Sequence, residues 1–176
     1  MVNKFPCLNF DKPMRLILFS DASYANLPDG ISSSLGYIIF IVDCNNNCSV
    51  ISWKANKIKR ICRSTLAAEA MSLVEGLEEC LYLKEVMKEL GFVLPIVAFV
   101  DNKSLQDSIY SSKLVDDKRL RIDIASLQQL CALNKVEEVK WCPGEKQLAN
   151  ALTKRGASAH QLLNVLRLGS LGPLID

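Results

Sequence analysis

Long hydrophobic runs are absent from this 176-residue sequence. No apolar run approaches the ~18–20 residues that a helix needs to cross a bilayer. The first residues, starting at Met1, also lack the apolar core and the cleavage site of a signal peptide. Together these absences predict an intracellular protein with no membrane partner.

Metal-binding patterns built from cysteine and histidine are absent as well. The seven cysteines contain no C-x-x-C pair, and the single histidine, His160, lies far from all of them in the sequence. A structural zinc site is therefore not expected. An odd number of cysteines with no metal-binding spacing is typical of reduced thiols in a reducing compartment.

No sign of charge dominates the composition, because 21 basic and 19 acidic side chains give a net charge of +2. Overall charge therefore predicts no particular partner, and any nucleic-acid site must come from local clusters. Hydrophobic residues (49%) and charged residues (23%) are close to globular averages, which excludes disorder, coiled coils and collagen. The length predicts one compact domain or at most two small ones.

What the sequence does contain is an order of apolar runs that predicts a mixed α/β fold. The residues at 43–47 (DCNNN) separate two of these runs and indicate a hairpin turn. Three opening strands followed by alternating elements favour a mixed sheet with helices on its faces. The predicted strands are residues 15–19, 36–42, 48–53, 95–100 and 137–141, and the predicted helices are 65–90, a short one after Ser104, 118–133 and a final one from about Lys146.

Three acidic residues occupy positions that favour a shared site. Asp21 and Asp101 each follow an apolar strand, and functional groups of open α/β sheets gather beyond the carboxyl ends of the strands. Glu69 lies beside the apolar stripe of the long predicted helix, three residues after Leu66 and four before Leu73. A carboxylate directed at a core needs a cation or strong hydrogen-bond donors. Taken singly, each acid also fits a turn, a helix cap or a favourable position at a helix N-terminus.

Convergence of these three carboxylates would favour divalent metal, because the acids would otherwise repel one another. Mg²⁺ prefers oxygen ligands and retains water molecules for a substrate. Two such ions ~4 Å apart activate water and stabilise the leaving oxygen in phosphodiester cleavage. The sequence therefore predicts a magnesium site at Asp21, Glu69 and Asp101.

Six short motifs resemble, in order, those of ribonuclease H domains at the end of Ty1/copia-type LTR retrotransposon polyproteins. Any one motif is short, but six in register are specific, and they cover most of the chain. The resemblance implies a single ribonuclease H-like domain over 1–176 with its core at about 15–155. The motifs are residues 20–25 (SDASYA), 51–54 (ISWK), 63–70 (RSTLAAEA), 100–104 (VDNKS), 118–124 (KRLRIDI) and 139–154 (VKWCPGEKQLANALTK).

The resemblance implies a five-stranded mixed sheet with helices on both faces and hydrolysis of the RNA strand of RNA/DNA hybrids. It also implies two Mg²⁺ ions per site, for which Mn²⁺ substitutes. Asp21 would bridge both ions, and Glu69 and Asp101 would join it around the second ion. The implied partners are the hybrid and the reverse transcriptase of the same polyprotein, in the cytoplasmic virus-like particle of the element.

Asn150 departs from the family pattern, because the fourth acid of that pattern falls at this position. Asparagine keeps the shape and one carbonyl oxygen but removes a negative charge, a change often worth ~10²–10³-fold in rate. Three explanations are open: decay of the element, tolerance in the family, or a deliberate Asp→Asn substitution that inactivates the enzyme. The third is favoured, since such a change stops turnover and preserves substrate binding.

A cationic segment precedes the Glu69 helix and is expected to contact the phosphates of the hybrid. Short polar residues near the acids are expected to read the 2′-hydroxyls. Lys154 and Arg155 are expected to add phosphate contacts, and Asp123 is expected to be a structural ion-pair partner. The predicted substrate-binding residues are Lys57, Lys59, Arg60, Arg63, Ser64, Thr65 and Asn102.

Two alternatives remain at this stage. An integrase or transposase core would use two aspartates and a glutamate, and Glu137 follows Asp101 with 35 intervening residues. The Glu137 region is predicted to be a strand, however, whereas those enzymes place the glutamate on a helix. The second alternative is a catalytically silent nucleic-acid-binding domain that braces a reverse transcriptase, and Asn150 favours it.

Overall fold

The computed structural model describes residues 6–113 and 115–175. The strands are Arg15–Ser23 (β1), Ser34–Val42 (β2), Cys48–Lys57 (β3), Ile96–Val100 (β4) and Glu138–Trp141 (β5). The helices are Thr65–Glu89 (α1), Lys103–Tyr110 (α2), Lys118–Ala132 (α3), Asn150–Thr153 (α4) and His160–Leu168 (α5), with 3₁₀ turns at Gly144–Lys146 and Gly172–Leu174.

The five strands form one mixed sheet in the order β3-β2-β1-β4-β5. The first three strands are antiparallel, whereas β4 runs parallel to β1 and β5 runs parallel to β4. Phe19 of β1 lies opposite Phe99 of β4. The carboxyl ends of β1 and β4 therefore meet at the same edge of the sheet, as the sequence predicts.

The two faces of the sheet carry separate hydrophobic cores, so the prediction of helices on both faces is confirmed. Successive side chains of a strand point to opposite faces. Accordingly Leu16 and Leu18 pack in the core that includes α1 and α3, while Ile17 and Phe19 pack in the core that includes α5. Burial on both faces explains why the central strands read as continuous apolar runs.

The hairpin predicted at residues 43–47 is confirmed, and Asp43 organises it. The Asp43 carboxylate accepts hydrogen bonds from the backbone N–H groups of Asn45 (2.8 Å) and Asn47 (3.0 Å). Asn46 adopts a left-handed conformation with φ of 62°, which asparagine tolerates better than most residues.

The prediction of one final helix from about Lys146 is wrong, because the helical conformation is interrupted at Gln147. Its backbone is extended, and its amide Nε2 donates hydrogen bonds to the backbone oxygens of Ser20 (3.0 Å) and Phe99 (3.2 Å). This buried side chain thus ties together the ends of β1 and β4. A second interruption follows at Gly156, whose φ is +78°, and α5 begins beyond it.

The cysteines form no disulfide bonds among the described residues. All seven cysteines are free, and Cys80 is fully buried in the core under α1. Among the residues described, no helix combines the length and apolar character needed to cross a bilayer.

Candidate active site

Asp21, Glu69 and Asp101 converge at the edge where β1 and β4 end; together they are called the acid site below. Each offers a carboxylate oxygen, and these oxygens all lie within 4.8 Å of one another. Asp21 is the seventh residue of β1, and Asp101 directly follows β4. The predicted convergence is therefore observed, and parallel pairing of the two strands is its structural cause.

Glu69 reaches the acid site because α1 is capped and held tightly against β1. The Ser64 side chain accepts a hydrogen bond from the Ala67 N–H (3.1 Å) and begins the helix just before Glu69. One turn later, the Ser72 hydroxyl donates to the backbone oxygen of Asp21 (2.8 Å). Gly76 keeps the approach close, since a Cβ there would lie 2.9 Å from a methyl carbon of Leu18.

The acid site is buried and short of positive charge. Asp21 is 0% exposed, Glu69 is 4% exposed and the Asp101 side chain is 16% exposed. Burial, followed by the charges of Asp21 and Asp101, raises the pKa of Glu69 to about 9. Burial also raises the pKa of Asp21, although Thr153 and Lys154 oppose that shift. The Glu69 Oε2 atom is buried without a hydrogen-bond partner among the described residues.

Lys154 brings a cation to the acid site. Its Nζ lies 3.1 Å from Asp21 Oδ1 and 3.6 Å from Asp101 Oδ2, and it donates a hydrogen bond to Asn150 Oδ1. The nearby carboxylates raise the pKa of Lys154, against the effect of its partial burial. The ammonium group of Lys154 thus faces the acids, and its contact with phosphate stays a prediction.

Asn150 lies beside the acid site, as the motif predicts. Its Nδ2 donates to the Gly144 backbone oxygen (2.7 Å), and its Oδ1 accepts from Lys154. A Cβ at Gly144 would lie 3.7 Å from Asp101 Oδ2 and 4.0 Å from Asn150 Nδ2. Asn150 and Asp101 therefore lie on either side of one glycine, and Asn150 meets the carboxylates through the Lys154 ammonium group.

The donor atoms of the acid site fit a divalent metal. Three carboxylates supply hard oxygen ligands, and the unpartnered Oε2 of Glu69 supplies a buried lone pair that no protein group satisfies. An isolated ionised carboxylate in such a place is costly without a cation. Asp21, Glu69 and Asp101 are thus the residues that would hold the ion.

The predicted cationic segment is largely neutralised within the chain. Three ion pairs engage three of the four cations predicted to bind substrate: Lys57 with Asp29 (3.1 Å), Arg60 with Asp123, and Arg63 with Asp117 (3.6 Å). Lys59 is exposed and has no ion-pair partner within the described residues. The expectation that Asp123 serves as an ion-pair partner is confirmed, while the contacts of these cations with nucleic acid remain a prediction.

The short polar residues predicted to contact the hybrid include two helix caps. The Ser64 oxygen caps α1, and the Asn102 Oδ1 accepts from the Leu105 N–H (3.0 Å) and caps α2. Thr65 is exposed at the first position of α1. Ser64 and Thr65 enter the helix of Glu69 and Asn102 follows Asp101, so all three lie close to the acid site in sequence.

Two site residues escaped sequence reasoning, namely Thr153 and Gln147, and the role of Lys154 was assigned differently. The Thr153 hydroxyl donates to Asp21 Oδ2. Lys154 follows Asn150 by four residues, a spacing that places two side chains on one face of a helix. That spacing was the available signal for Lys154, whereas the Gln147 contacts depend on the tertiary fold.

The integrase-type alternative fails on the position of Glu137. Its backbone N–H bonds to Ile96 O at the start of β4 (2.9 Å), whereas Asp101 follows the end of that strand. Five residues of strand separate these two levels by about 15 Å. Glu137 therefore cannot complete a site with Asp21 and Asp101.

Solved structures with the same architecture are ribonucleases H. LC11-RNase H1, isolated from compost by a metagenomic approach and solved with an RNA/DNA hybrid, is 14% identical with a TM-score of 0.60, over 85% of this chain and 99% of that one. RNase H1 of Halobacterium salinarum is 17% identical with a TM-score of 0.57, over 79% and 94%. The fold is ribonuclease H-like.

A viral structure shows the same likeness. The foamy viral protease-reverse transcriptase in complex with dsDNA is 13% identical to this chain with a TM-score of 0.52, over 80% of this chain and 92% of that one. No protein-family model matches the sequence. At these identities the comparisons establish the fold, and the chemistry must be argued from the acid site.

Proposed function

We propose that this protein is a metal-dependent ribonuclease H, an endonuclease that hydrolyses the RNA strand of RNA/DNA hybrids. The observation that carries the proposal is the convergence of three carboxylates within 4.8 Å at one sheet edge, with a buried oxygen of Glu69 lacking a partner. Similarity to a ribonuclease H solved with an RNA/DNA hybrid supports the choice of substrate.

We propose Mg²⁺ as the metal, with Mn²⁺ as a substitute, because the ligands are carboxylate oxygens. Divalent metal supplies an activated water and stabilises the leaving oxygen during phosphodiester hydrolysis. Asp21, which is fully buried and paired with Lys154, would be a ligand of both ions in a two-metal site. Glu69 and Asp101 would join Asp21 in holding the second ion, which would stabilise the leaving group.

Asn150 would offer a carbonyl oxygen but no charge to an ion that activates water. The chain is therefore proposed to be a weakened or inactivated form of the enzyme. Its Oδ1 accepts a hydrogen bond from Lys154, which supports a position beside the ion rather than an unrelated surface role.

Substrate contacts are proposed for the polar and cationic residues that surround the acid site. Ser64, Thr65 and Asn102 enter or follow the segments that carry Glu69 and Asp101, where hydroxyl and amide groups would meet the minor groove of the hybrid. The cations of the segment are Lys57, Lys59, Arg60 and Arg63, and they are proposed to contact phosphates.

The biological setting proposed is reverse transcription of a Ty1/copia-type retrotransposon. The chain would act with the reverse transcriptase of the same polyprotein inside the cytoplasmic particle of the element. The six motifs of the sequence support this setting, and similarity to a viral protease-reverse transcriptase accords with it.

Cleavage of a labelled RNA/DNA hybrid with Mg²⁺ tests the proposal directly. Asn150→Asp restores the missing carboxylate and should raise the rate ~10²–10³-fold. Gln129→Glu is the matched control, because it converts an amide to a carboxylate at an exposed position of α3, outside the acid site. No cleavage by the Asn150→Asp variant, with the fold intact, would contradict the proposed activity.

A catalytically silent nucleic-acid-binding domain is the second candidate, and the Asn150–Lys154 contact favours it. That contact holds an amide, Asn150, where the family pattern has an acid. Hybrid binding by both the unchanged chain and the Asn150→Asp variant, without cleavage by either, is the result expected of such a domain.

A further inference from the structure

We infer that Lys154 is a built-in cation of the acid site and replaces one of the two divalent ions, so that this chain binds a single ion. The inference rests on the proposed function, since it concerns the metal content of the same site. Three sets of observations carry it: the contacts of the ammonium group, the anchoring of its helix and the charge of the surrounding side chains.

The Lys154 ammonium group faces three oxygens of the site. Asp21 Oδ1 lies at 3.1 Å, Asp101 Oδ2 lies at 3.6 Å, and Asn150 Oδ1 accepts a hydrogen bond. An ammonium group has three N–H donors and no acceptor. One oxygen each of Asp21, Asp101 and Asn150 thus already faces a cation of the protein.

Lys154 is held in place by the turn that carries it, although its side chain is 41% exposed. The preceding residue, Thr153, donates its hydroxyl to Asp21, and its backbone oxygen accepts hydrogen bonds from Asn26 Nδ2 (3.0 Å) and Ser34 Oγ (3.2 Å). Gly36 lies directly beneath, where a Cβ would come within 2.7 Å of Thr153. These four contacts of Thr153 fix the backbone from which the Lys154 side chain extends toward the acids.

The charge of the site favours one ion. Metal binding requires the carboxylates to be deprotonated, so the three acids then carry three negative charges, and the ammonium group of Lys154 reduces the total to two. A single Mg²⁺ balances that charge, whereas a second would leave an excess of two positive charges in a buried place, where like charges repel strongly. The asparagine at position 150 also favours a single ion, because the carboxylate that a second ion would need is missing there.

The position left for the ion lies toward Glu69. Lys154 forms ion pairs with Asp21 and Asp101 but not with Glu69 within the described part of the chain. The buried Oε2 of Glu69 remains without a partner. One ion shared by Glu69, Asp21 and Asp101 would satisfy this oxygen and leave the ammonium contacts intact.

Counting bound Mn²⁺ by electron paramagnetic resonance tests the inference without measuring activity. The unchanged chain should bind one Mn²⁺ at saturation, with no coupling to a second ion. The double variant Asn150→Asp with Lys154→Met has four carboxylates and no ammonium group, and it should bind two ions that are close enough to couple. Arg155→Met removes a neighbouring cation outside the acid site, and this control should still bind one.

The outcomes separate the two proposals. Two ions in the unchanged chain, or one ion in the folded double variant, would overturn the inference while leaving the nuclease proposal standing. One ion in the unchanged chain without cleavage by Asn150→Asp would support the inference and count against the nuclease. No Mn²⁺ in any variant would overturn both. The unchanged chain needs no substitution, so its count is decisive even if the double variant fails to fold.

Metal-free stability gives a second measurement of the same role. In EDTA, Lys154→Met removes the only cation paired with Asp21 or Asp101 in the described residues, and its melting temperature should fall below that of Arg155→Met. Saturating Mn²⁺ should then raise the melting temperature of Lys154→Met more than that of the control. Equal behaviour of the two variants in both conditions would overturn the inference.

Discussion

The acid site and the cationic segment differ in how far their charges are paired within the chain. In the acid site, three carboxylates lie together with one ammonium group, and a buried oxygen is left without a partner. In the cationic segment, Lys57, Arg60 and Arg63 each face an aspartate from elsewhere in the chain. The negative charge of the acid site needs an added cation to balance it. The positive charge of the cationic segment is already largely balanced by aspartates of the same chain.

The difference in charge balance indicates that the acid site needs a bound ligand, whereas the cationic segment is stable without one. Buried, unbalanced charge is costly, and a fold keeps it where a bound ion compensates for the cost. Exposed ion pairs contribute little and exchange readily with other partners. Phosphates would therefore have to compete with three aspartates for the cationic segment, while the one cation of the described residues that metal would displace at the acid site is Lys154.

The largest expected effect comes from removing a carboxylate of the acid site. Glu69→Gln in the Asn150→Asp background should reduce hybrid cleavage ~10³-fold or more, because the remaining acids hold metal poorly. Circular dichroism should show an unchanged fold. Glu78→Gln alters an exposed acid on the same helix and should keep its activity. Full activity of Glu69→Gln would remove Glu69 from the catalytic site.

Stability should depend on pH in the absence of metal because of the same residue. The folded state raises the pKa of Glu69 to about 9 from a value of 4.5, so the folded protein holds a proton that the unfolded chain has lost between these values. The free energy of unfolding should therefore fall as pH rises through this window, by at most ~1.4 kcal/mol per pH unit.

Urea unfolding in EDTA at pH 5.5 and pH 8.5 measures this dependence. Glu69→Gln cannot ionise at this position, so its stability should change less between the two conditions. A Glu69→Gln variant as sensitive to pH as the unchanged chain would show that other groups cause the effect.

An intermediate effect is expected at Gly36, where α4 lies against β2. Gly36→Ala places a Cβ 2.7 Å from Thr153 Cγ2 and 2.9 Å from Leu152 Cβ, so the short helix must shift. Overpacking of this kind typically costs about 1–3 kcal/mol, measurable as a lower urea midpoint. Because Lys154 directly follows α4, the variant should also change Mn²⁺ affinity. Unchanged stability and Mn²⁺ affinity would show that α4 shifts to accommodate the added methyl group without cost.

The smallest effect is expected in the cationic segment. Arg60→Gln should weaken hybrid binding only a few-fold and reduce the slope of log affinity against log salt by about 1, as for one phosphate contact. Lys88→Gln is the control, since Lys88 lies near the other end of α1. Filter binding at several salt concentrations gives both values, and equal slopes for the two variants would exclude Arg60 from the interface.

Local patterns in the sequence were sufficient to predict the three acids. Asp21 and Asp101 follow apolar strands, and Glu69 lies beside an apolar helical stripe, so each position is set by its own segment. Parallel pairing of β1 and β4 then brings the aspartates together. The sheet and its hairpin were predictable for the same reason.

Contacts that join distant segments were not predictable. Gln147 interrupts the expected final helix because two strand ends offer their carbonyls to it. Lys154 faces the acids because α4 is anchored over β2 by Thr153. The Arg60–Asp123 pair joins residues 63 positions apart. No periodicity in one segment reports where another segment lies in space.

The chain beyond α4 closes the side of the sheet opposite α1. Leu162, Val165, Leu171 and Ile175 cover a cluster that holds the rings of Phe19, Phe40 and Phe99. Residue 170 bridges back to residue 47, and Cys48 bonds to Gly169 O (2.9 Å). A version shortened after residue 157 would expose three aromatic rings to water, and self-association through them would mask whatever the intact acids can still bind.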